Sequence, residues 1–481
     1  MEIRFKDKKV QELCQKKAVA IKKLGDPCAR KLRARLQDLE SARTVRELPP
    51  VGNPHPLKGD RSGEFAIRLA GGAGDWSSSQ PMIPGLPFQV AQPIGPRSPS
   101  SASRKSLITM TDTNTPFLPD WVSPPGETIS DIAEERGWSQ GELARRLDYS
   151  EKHLSQLIRG KVPLTVDAAQ RLERVLGGTA EFWLTREAKY QQHKARLESE
   201  ERCAKEVGWL DKMPVKELMD CGAIPRMRND GKNKPKIVEA CLRFFGVQSS
   251  AAWEKHYASM QVAFRRTRTE QSDVGAISAW LRLGEQKAEA LSLPGYDKAT
   301  FEAALRDIRT LTRKDPGEFW PTMQQQLHEA GVLLVMVPSI PKAHVSGIAR
   351  WLNKRPMIQL SLYGKLNDRF WFSFFHEAAH LLLHASNKEE KSSIFLDDLG
   401  TTYADDPKEH EANEWARDWL IPPEHAEALR WLNRKEEIID FADQLNIHPG
   451  IVVGRLQHEG IIDYRWFNDL KQSLPVESLS S

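Results

Sequence analysis

The clearest pattern of apolar and polar positions lies in the C-terminal third of the 481-residue chain. The segment Phe370–Leu383 is apolar on nearly every side, which predicts a buried helix, and Asn367–Asp368 can cap its start. Two apolar runs precede this helix, at Gly331–Val337 and Met357–Tyr363, with a turn at Asn353–Pro356 before the second. These runs predict the strands of a small sheet beneath the helix.

A second helix follows at residues 408–420. Asp405–Asp406 can supply its N-cap, Pro407 suits the first helical position, and Pro422–Pro423 ends it. One face carries Glu409, Ala412, Asn413 and Ala416. The small alanines would let this helix approach the first one closely.

A different pattern begins near residue 128, where short helices are separated by tight turns. A helix over Ile129–Gly137 is followed by a capping box at Ser139 and Glu142, a helix to Leu147, and a third helix over Ser150–Ile158. The apolar faces of the last two comprise Leu143, Ala144, Leu147, Leu154, Leu157 and Ile158. This spacing is typical of a helix-turn-helix.

In that arrangement the last helix would enter the major groove of DNA, with Arg159 and Lys161 contacting phosphates. The candidates for contacts in the groove are Gln140, Ser150, Glu151, Lys152, His153, Ser155 and Gln156. An ordinary three-helix bundle remains an alternative, because residues 128–198 contain 12 basic and 11 acidic side chains.

The N-terminal 70 residues predict a strand at Met1–Phe5, helices at about 8–20 and 27–41, and a strand at Gly63–Ala70. They hold 17 Lys and Arg against 9 Asp and Glu, a net charge of +8 in a chain whose net charge is +4. This charge suits a nucleic acid, although a solvated helical face explains it equally well.

Composition limits the remaining choices. Apolar residues make up 40% and charged residues 28% of the chain, and no apolar run is long enough to span a membrane. The N-terminus lacks the apolar core of a signal peptide. The five cysteines form no CxxC motif, which predicts reduced thiols in a cytoplasmic protein and no cysteine metal ligand.

The candidate chemistry lies in the buried C-terminal helix. His376 and His380 are one helical turn apart, so both imidazoles can bind one Zn²⁺ while Glu377 acts as general base. Two histidines and a glutamate in an apolar helix are costly unless they are bonded. A metal would satisfy all three.

A zinc site needs a third protein ligand. His384 is a poor candidate, because it lies about 12 Å along the helix axis from His376. Glu409 on the second helix is preferred, whereas Glu411 and His410 remain alternatives.

The sequences HEAAHLLLH, at His376–His384, and EHEANEWARDWLIP, at Glu409–Pro422, resemble the ImmA/IrrE family of zinc metallopeptidases. The resemblance covers roughly residues 320–460, and residues 438–453 resemble the helical tail of that core. It implies His376, His380 and Glu409 as zinc ligands and Glu377 as catalytic base. Because known members cut transcriptional repressors, it also implies a protein substrate.

The sequence LARRLDYSEKHLSQLIRGKVPLT, at residues 143–165, resembles the Cro/C1-type helix-turn-helix. The following GGTAEFWLTREAKYQQHKA resembles HigA antitoxins. These resemblances, over residues 125–198, imply a dimer that represses its own operon and binds a toxin.

The sequence HPLKGDRSGEFAIRLA, at residues 55–70, resembles HigB/RelE-type toxins and includes basic residues Lys58 and Arg68. The match stops at Gly71–Gly72, so a relic that contacts the rest of the chain weakly is expected. Removing residues 1–109, to start at Met110, should then leave DNA binding and zinc content unchanged. The competing hypothesis is that the fragment docks on the antitoxin-like region.

We therefore predict a multidomain protein of the α and α+β classes. It would join a helix-turn-helix bundle to a mainly helical, zincin-like metallopeptidase domain with a small β-sheet. The predicted segments are a toxin fragment (1–70), a disordered linker (71–126), the DNA-binding domain (127–198), a helical connector that belongs with the peptidase (199–319), the peptidase (320–460) and a tail (461–481).

Two functions compete. The first is a DNA-binding regulator with a zinc endopeptidase, one Zn²⁺ per chain, that cuts a repressor or toxin–antitoxin protein. The second is a non-catalytic antitoxin whose metal domain senses or scaffolds. The expected partners are operator DNA (the chain's own promoter in particular), a protein substrate, a HigB-type toxin and a second copy of the chain in a homodimer. No interaction with a membrane is expected.

Overall fold

The computed structural model divides into two compact units, residues 1–202 and 203–481. The described residues are 3, 5, 8–52, 55, 56, 64–66, 88, 89, 117–257, 273–289, 291–352, 354–362, 365–384, 395–397, 407–475 and 479. Among them, no helix combines the length and hydrophobicity that a membrane span requires. All five cysteines are in this part of the chain, and none forms a disulfide.

The first unit consists of helices and a small antiparallel sheet in the order β1-β2-β3. Its helices are α1 (Lys8–Gln15), α2 (Lys17–Leu24), α3 (Asp26–Ser41), α4 (Pro125–Glu135), α5 (Gln140–Leu147), α6 (Glu151–Ile158), α7 (Val166–Leu176) and α8 (Ala180–Lys205). Its strands are β1 (His55–Pro56), β2 (Glu64–Ala66) and β3 (Phe88–Gln89). The apolar faces of α4–α7 enclose one core, which also receives Phe182 and Trp183 of α8.

The N-terminal residues are bonded closely to the helices that follow them, so the expectation of weak contact is wrong. The Asp38 carboxylate of α3 accepts hydrogen bonds from Arg186 Nε at 2.9 Å, Thr128 Oγ1 at 2.7 Å and Arg35 Nη1 at 2.8 Å. Arg35 also donates to Asp131 at 2.7 Å. All five side chains are buried, so α3 is bonded into α4 and α8 and supports the docking hypothesis.

Other N-terminal expectations have mixed outcomes. The helix expected at 8–20 divides at Lys16, where the Asp120 carboxylate accepts the backbone N–H of Lys17 at the start of α2. Ile3 and Phe5, from the expected first strand, are not in a strand. β2 lies within the second expected strand. Lys58, Arg68, Met110 and most of the expected linker lie outside the described residues.

The end of the expected linker is not a disordered segment. Phe117 and Trp121 are buried, and Trp121 Nε1 donates to the Cys14 carbonyl at 3.2 Å. The two aromatic side chains pack against apolar residues of α1–α3. Residues 117–124 therefore belong to the folded part of the first unit.

The second unit surrounds a four-stranded sheet in the order β4-β6-β5-β7. Its strands are β4 (Leu333–Met336), β5 (Gly347–Leu352), β6 (Arg355–Leu360) and β7 (Phe395–Asp397). Its helices are α9 (Val215–Asp220), α10 (Lys234–Phe245), α11 (residues 250–257), α12 (Val274–Glu289), α13 (Lys298–Thr310), α14 (Pro316–Glu329), α15 (Asn367–Ala379), α16 (Pro407–Leu420), α17 (Lys435–Gln444) and α18 (Pro449–His458).

The sheet is mixed: β4 is parallel to β6, whereas β5 is antiparallel to both β6 and β7. Gly347, at the start of β5, is paired with Leu360 on one side and Asp397 on the other. The strands expected at 331–337 and 357–363 correspond to β4 and β6. The architecture confirms the predicted fold class, with a helix-turn-helix bundle and a mainly helical domain containing a small sheet.

The helix predicted around His376 is α15, and it lies in the largest core of the second unit. It packs against α16 and α18, and residues 380–384 continue it as one π-helical turn. Arg309 of α13 donates to the carbonyls of Trp419, Leu420 and Leu445 at 2.9–3.0 Å. This guanidinium thereby joins the end of α16 to the end of α17.

The expected connector is structured and contributes to the second unit. Residues of α9, α10 and α12 share a core with Val337 and Ile348, which lie at or beside the sheet. Arg350 of β5 bonds to Glu285 of α12 at 2.9 Å, and both side chains are largely shielded from solvent. Helices α9, α10 and α12 of this segment therefore pack against the sheet.

Candidate metal centre and nucleic-acid interface

The buried centre forms where α15 faces α16. His376 is in the last turn of α15, His380 begins the π-helical turn that continues it, and Glu409 lies in the first turn of α16. The side chain of Ala412, one turn after Glu409, is also buried. Large residues at that position would separate the two helices, so the small side chain permits the carboxylate to reach the histidines.

Metal-binding atoms of three residues converge at this point. His376 Nε2 is 3.0 Å from His380 Nε2 and 3.2 Å from Glu409 Oε2, and His380 Nε2 is 3.5 Å from Glu409 Oε1. A tetrahedral zinc with bonds of about 2.0–2.2 Å has neighbouring ligand atoms about 3.3–3.6 Å apart. The donor set and its spacing therefore fit Zn²⁺, and no other such cluster occurs in the described part of the chain.

The protonation states also suit a metal. Burial is the largest influence on His380 and lowers its pKa to about 4, although a hydrogen bond to Glu409 opposes this. Burial would raise the pKa of Glu409, but hydrogen bonds and charge interactions with both histidines outweigh it and hold the pKa at about 2. At neutral pH the pair therefore offers a carboxylate and a neutral imidazole, as metal binding requires.

Glu377 follows His376 directly in α15 and is fully buried. A Cβ atom added to Gly347 would lie 2.8 Å from both Cγ and Oε1 of Glu377. Real Cβ contacts are longer, so the missing side chain of Gly347 leaves the space that the Glu377 side chain occupies. The first residue of β5 therefore leaves room for this carboxylate.

In the zinc peptidase that the sequence resemblance implies, Gly347→Ala is expected to displace the Glu377 carboxylate and to lower peptide-bond cleavage by about 10²-fold, with zinc content unchanged. Displacing a reacting group by about 1 Å costs a factor of this size. Cleavage rate and bound zinc should be measured together. Gly317→Ala is the matched control, because its new Cβ meets nothing within 4 Å. Equal cleavage by the two variants would contradict this role for Gly347.

The alternative ligands lie outside the three-atom cluster. His410 is 73% exposed and bonds to Glu414. Glu411 is 60% exposed, and its Oε2 lies 3.1 Å from His384 Nε2. His384 is buried and contacts His380 through Nδ1 rather than joining the converging donors.

In the first unit, α5 and α6 form the predicted helix-turn-helix pair. Ser139 Oγ accepts the N–H of Glu142, and Ser150 Oγ accepts the N–H of His153, both at 3.2 Å. Between them Asp148 adopts a left-handed conformation with φ of 56°. These caps and this turn fix the angle between the two helices.

The outer face of α6 is open to solvent, as DNA reading requires. Leu154 and Leu157 point into the core, whereas Lys152, His153 and Arg159 are exposed. Of the other predicted contacts, Gln140, Ser150, Glu151 and Lys161 are exposed and Ser155 and Gln156 are partly exposed. The structure thus places all nine candidates on or beside the accessible side of this pair.

Two family profiles match the chain. Residues 129–183 match a helix-turn-helix family, and residues 333–456 match the peptidase M78 family, described as the IrrE N-terminal-like domain. The chain carries both domains. The first indicates a DNA-binding regulator, and the second indicates a metallopeptidase-like domain. Comparison with curated proteins and with solved structures gave no match.

Two features of the IrrE-like domain were not identified from its sequence. The contact between Gly347 and Glu377 joins residues 30 positions apart, and a lone glycine at the start of a strand gave no signal. The pairing of His384 with Glu411 crosses from α15 to α16. The third histidine of HEAAHLLLH was a visible signal for it, but the partner depends on how the helices pack.

Proposed function

We propose that this protein is a DNA-binding transcriptional regulator whose IrrE-like domain is a zinc-dependent endopeptidase. The observation that carries the proposal is the convergence of His376, His380 and Glu409 on one point, with the buried Glu377 directly after His376 on the same helix. Three protein ligands and an adjacent carboxylate are the composition of a catalytic zinc site. The proposed substrate is a repressor or toxin–antitoxin protein, as the ImmA/IrrE resemblance implies.

The residues of the proposed active site would have different roles. His376, His380 and Glu409 would hold the metal, which when bound polarises the scissile carbonyl and increases the acidity of water. Glu377 would accept the proton of the attacking water and deliver it to the leaving amine. Gly347 leaves room for the Glu377 carboxylate, and the buried surroundings strengthen each of these electrostatic interactions.

The DNA-binding part of the proposal rests on the exposed face of α6 and the match over residues 129–183. The proposed target is a pseudo-palindromic operator in the chain's own promoter, bound by a homodimer. The HigA resemblance supports both the dimer and a HigB-type toxin as further partners. Two-fold symmetry in the operator would mirror that of the dimer.

Gln156→Ala and Lys161→Ala are expected to weaken operator binding in different ways. Loss of Gln156 should cost about 1–3 kcal/mol and relax specificity at one base pair, if it reads an adenine. Loss of Lys161 should weaken binding to all sequences and reduce the salt slope by about 1. Fluorescence anisotropy over a salt series, with a scrambled duplex as control, separates the two. Absence of wild-type operator binding at moderate salt would favour an ordinary helical bundle.

The test of the enzymatic proposal measures bound zinc and the fate of candidate repressors, with Glu377→Gln as control. The competing function is a non-catalytic antitoxin whose metal domain senses or scaffolds. The burial of all four central side chains favours that alternative, because a substrate must reach them. Zinc binding without cleavage of any candidate would support it.

A further inference from the structure

We propose that His384 and Glu411 are positioning residues that fix the orientation and tautomer of His380 for metal binding. The inference rests on the proposed zinc site and extends it to two residues that do not reach the metal. The observation is a hydrogen-bonded chain that runs from the surface of α16 to the buried centre. It passes from the Glu411 carboxylate through both ring nitrogens of His384 to the far side of the His380 ring.

The distances between successive groups are short enough for an unbroken series of hydrogen bonds. Glu411 Oε2 lies 3.1 Å from His384 Nε2, and His384 Nδ1 lies 3.1 Å from His380 Nδ1. His380 Nε2, on the opposite side of its ring, lies among the converging donor atoms. The contact between the two histidines uses the Nδ1 atom of each ring, and the contact with Glu411 uses Nε2 of His384.

One arrangement of protons satisfies both of these contacts when the metal is bound. His380 Nε2 must be unprotonated to bind a metal, so its proton is on Nδ1 and is donated to His384 Nδ1. His384 Nδ1 is then the acceptor, which places the proton of that ring on Nε2. That N–H is donated to the Glu411 carboxylate. The Glu411 carboxylate is then the final acceptor, and it favours the stated tautomer of each of the two histidines.

The local helix geometry makes the contact between the rings. Residues 380–384 form a π-helical turn, in which the backbone is wider than in an α-helix. The two rings are tilted by 51° with centroids 5.2 Å apart. His384 is 5% exposed and Glu411 is 60% exposed. The inner hydrogen bond, between His384 and His380, is therefore shielded from water, whereas the outer one, between Glu411 and His384, is partly solvated. The hydrogen bond between His384 and His380 should therefore contribute more to zinc affinity than the one between Glu411 and His384.

The experiment measures the zinc Kd of the full-length protein by competition with a chelator. His384→Leu keeps the bulk but removes both ring nitrogens, and it should weaken zinc binding by about 10–100-fold. Glu411→Ala should weaken it less, and should cause no further loss in the His384→Leu background. His384→Asn retains an acceptor for His380 Nδ1–H, so it should bind zinc more tightly than His384→Leu.

A spectroscopic measurement distinguishes a change in the orientation of His380 from a general loss of structure. In the Co²⁺-substituted protein, His384→Leu should change the visible absorption bands, because the orientation of His380 changes. Matched controls are His410→Leu and Glu414→Ala, an exposed histidine–glutamate pair on α16. Both should retain the wild-type zinc Kd and Co²⁺ spectrum.

An unchanged zinc Kd in both His384→Leu and Glu411→Ala would overturn the inference, as would equal losses in the His410→Leu control. If His384→Leu does not fold, Glu411→Ala at the surface decides the question alone. Absence of zinc binding by the wild-type protein would instead refute the proposed metal centre, so the two failures are distinguishable.

Discussion

Glu377→Gln is expected to bind zinc as the wild-type protein does and to lose about 10²–10⁴-fold in cleavage rate. The substitution preserves the size of a fully buried side chain but removes its ability to accept a proton. The three converging donor atoms come from other residues, so the metal should remain. Metal analysis of the purified protein and cleavage of a candidate repressor, followed by gel electrophoresis, measure both quantities.

Two further variants make this result specific. His380→Ala removes one donor and should lose zinc and cleavage together. Glu414→Gln alters a half-exposed carboxylate on α16 and should change neither. Cleavage by Glu377→Gln at the wild-type rate would show that Glu377 is not the catalytic base, whatever the zinc content.

Asp38→Ala is expected to destabilise the first unit by about 3–5 kcal/mol. Asp38 is 2% exposed, and its removal leaves the fully buried Arg186 without its carboxylate partner. Arg186 would keep its hydrogen bonds to the Ser123 carbonyl and hydroxyl, but not an opposite charge. Removal of residues 1–109 deletes Asp38 and Arg35 together, so it should also reduce operator affinity.

Amide hydrogen exchange of the full-length protein measures this effect in one unit at a time. Peptides from α4–α7 should exchange much faster in Asp38→Ala, whereas peptides from the second unit should be unaffected. Asp26→Ala, which removes an exposed carboxylate from the first turn of α3, is the control and should cost less than about 1 kcal/mol. Equal exchange in the two variants would show that the buried ion pairs contribute little.

Local patterns in the sequence account for much of the fold. Ser139 caps α5 as predicted, and Ser150 caps α6 where a helix was predicted to start, because a cap needs only residues that are neighbours in sequence. The start of α16 at Pro407 and the burial of α15 follow from equally local patterns. The spacing of His376 and His380 indicated their convergence for the same reason.

The remaining features depend on contacts between distant parts of the chain. The break between α1 and α2 is stabilised by Asp120, more than a hundred residues away. The Asp38–Arg186 pair joins residues 148 positions apart, so charge counts could not reveal that it is buried. Because the N-terminal segment matched only part of a known pattern, its integration into the first unit was not evident from its sequence.

Arg309 is a residue outside the metal centre at which a substitution is expected to disturb that centre. Its three donors bind carbonyls at the ends of α16 and α17, and α16 carries Glu409 at its other end. A lysine has the same charge but no planar fork, and it cannot reproduce this three-way geometry. A conservative exchange on α13 would therefore loosen the helix that presents the carboxylate, although residue 309 takes no part in the chemistry.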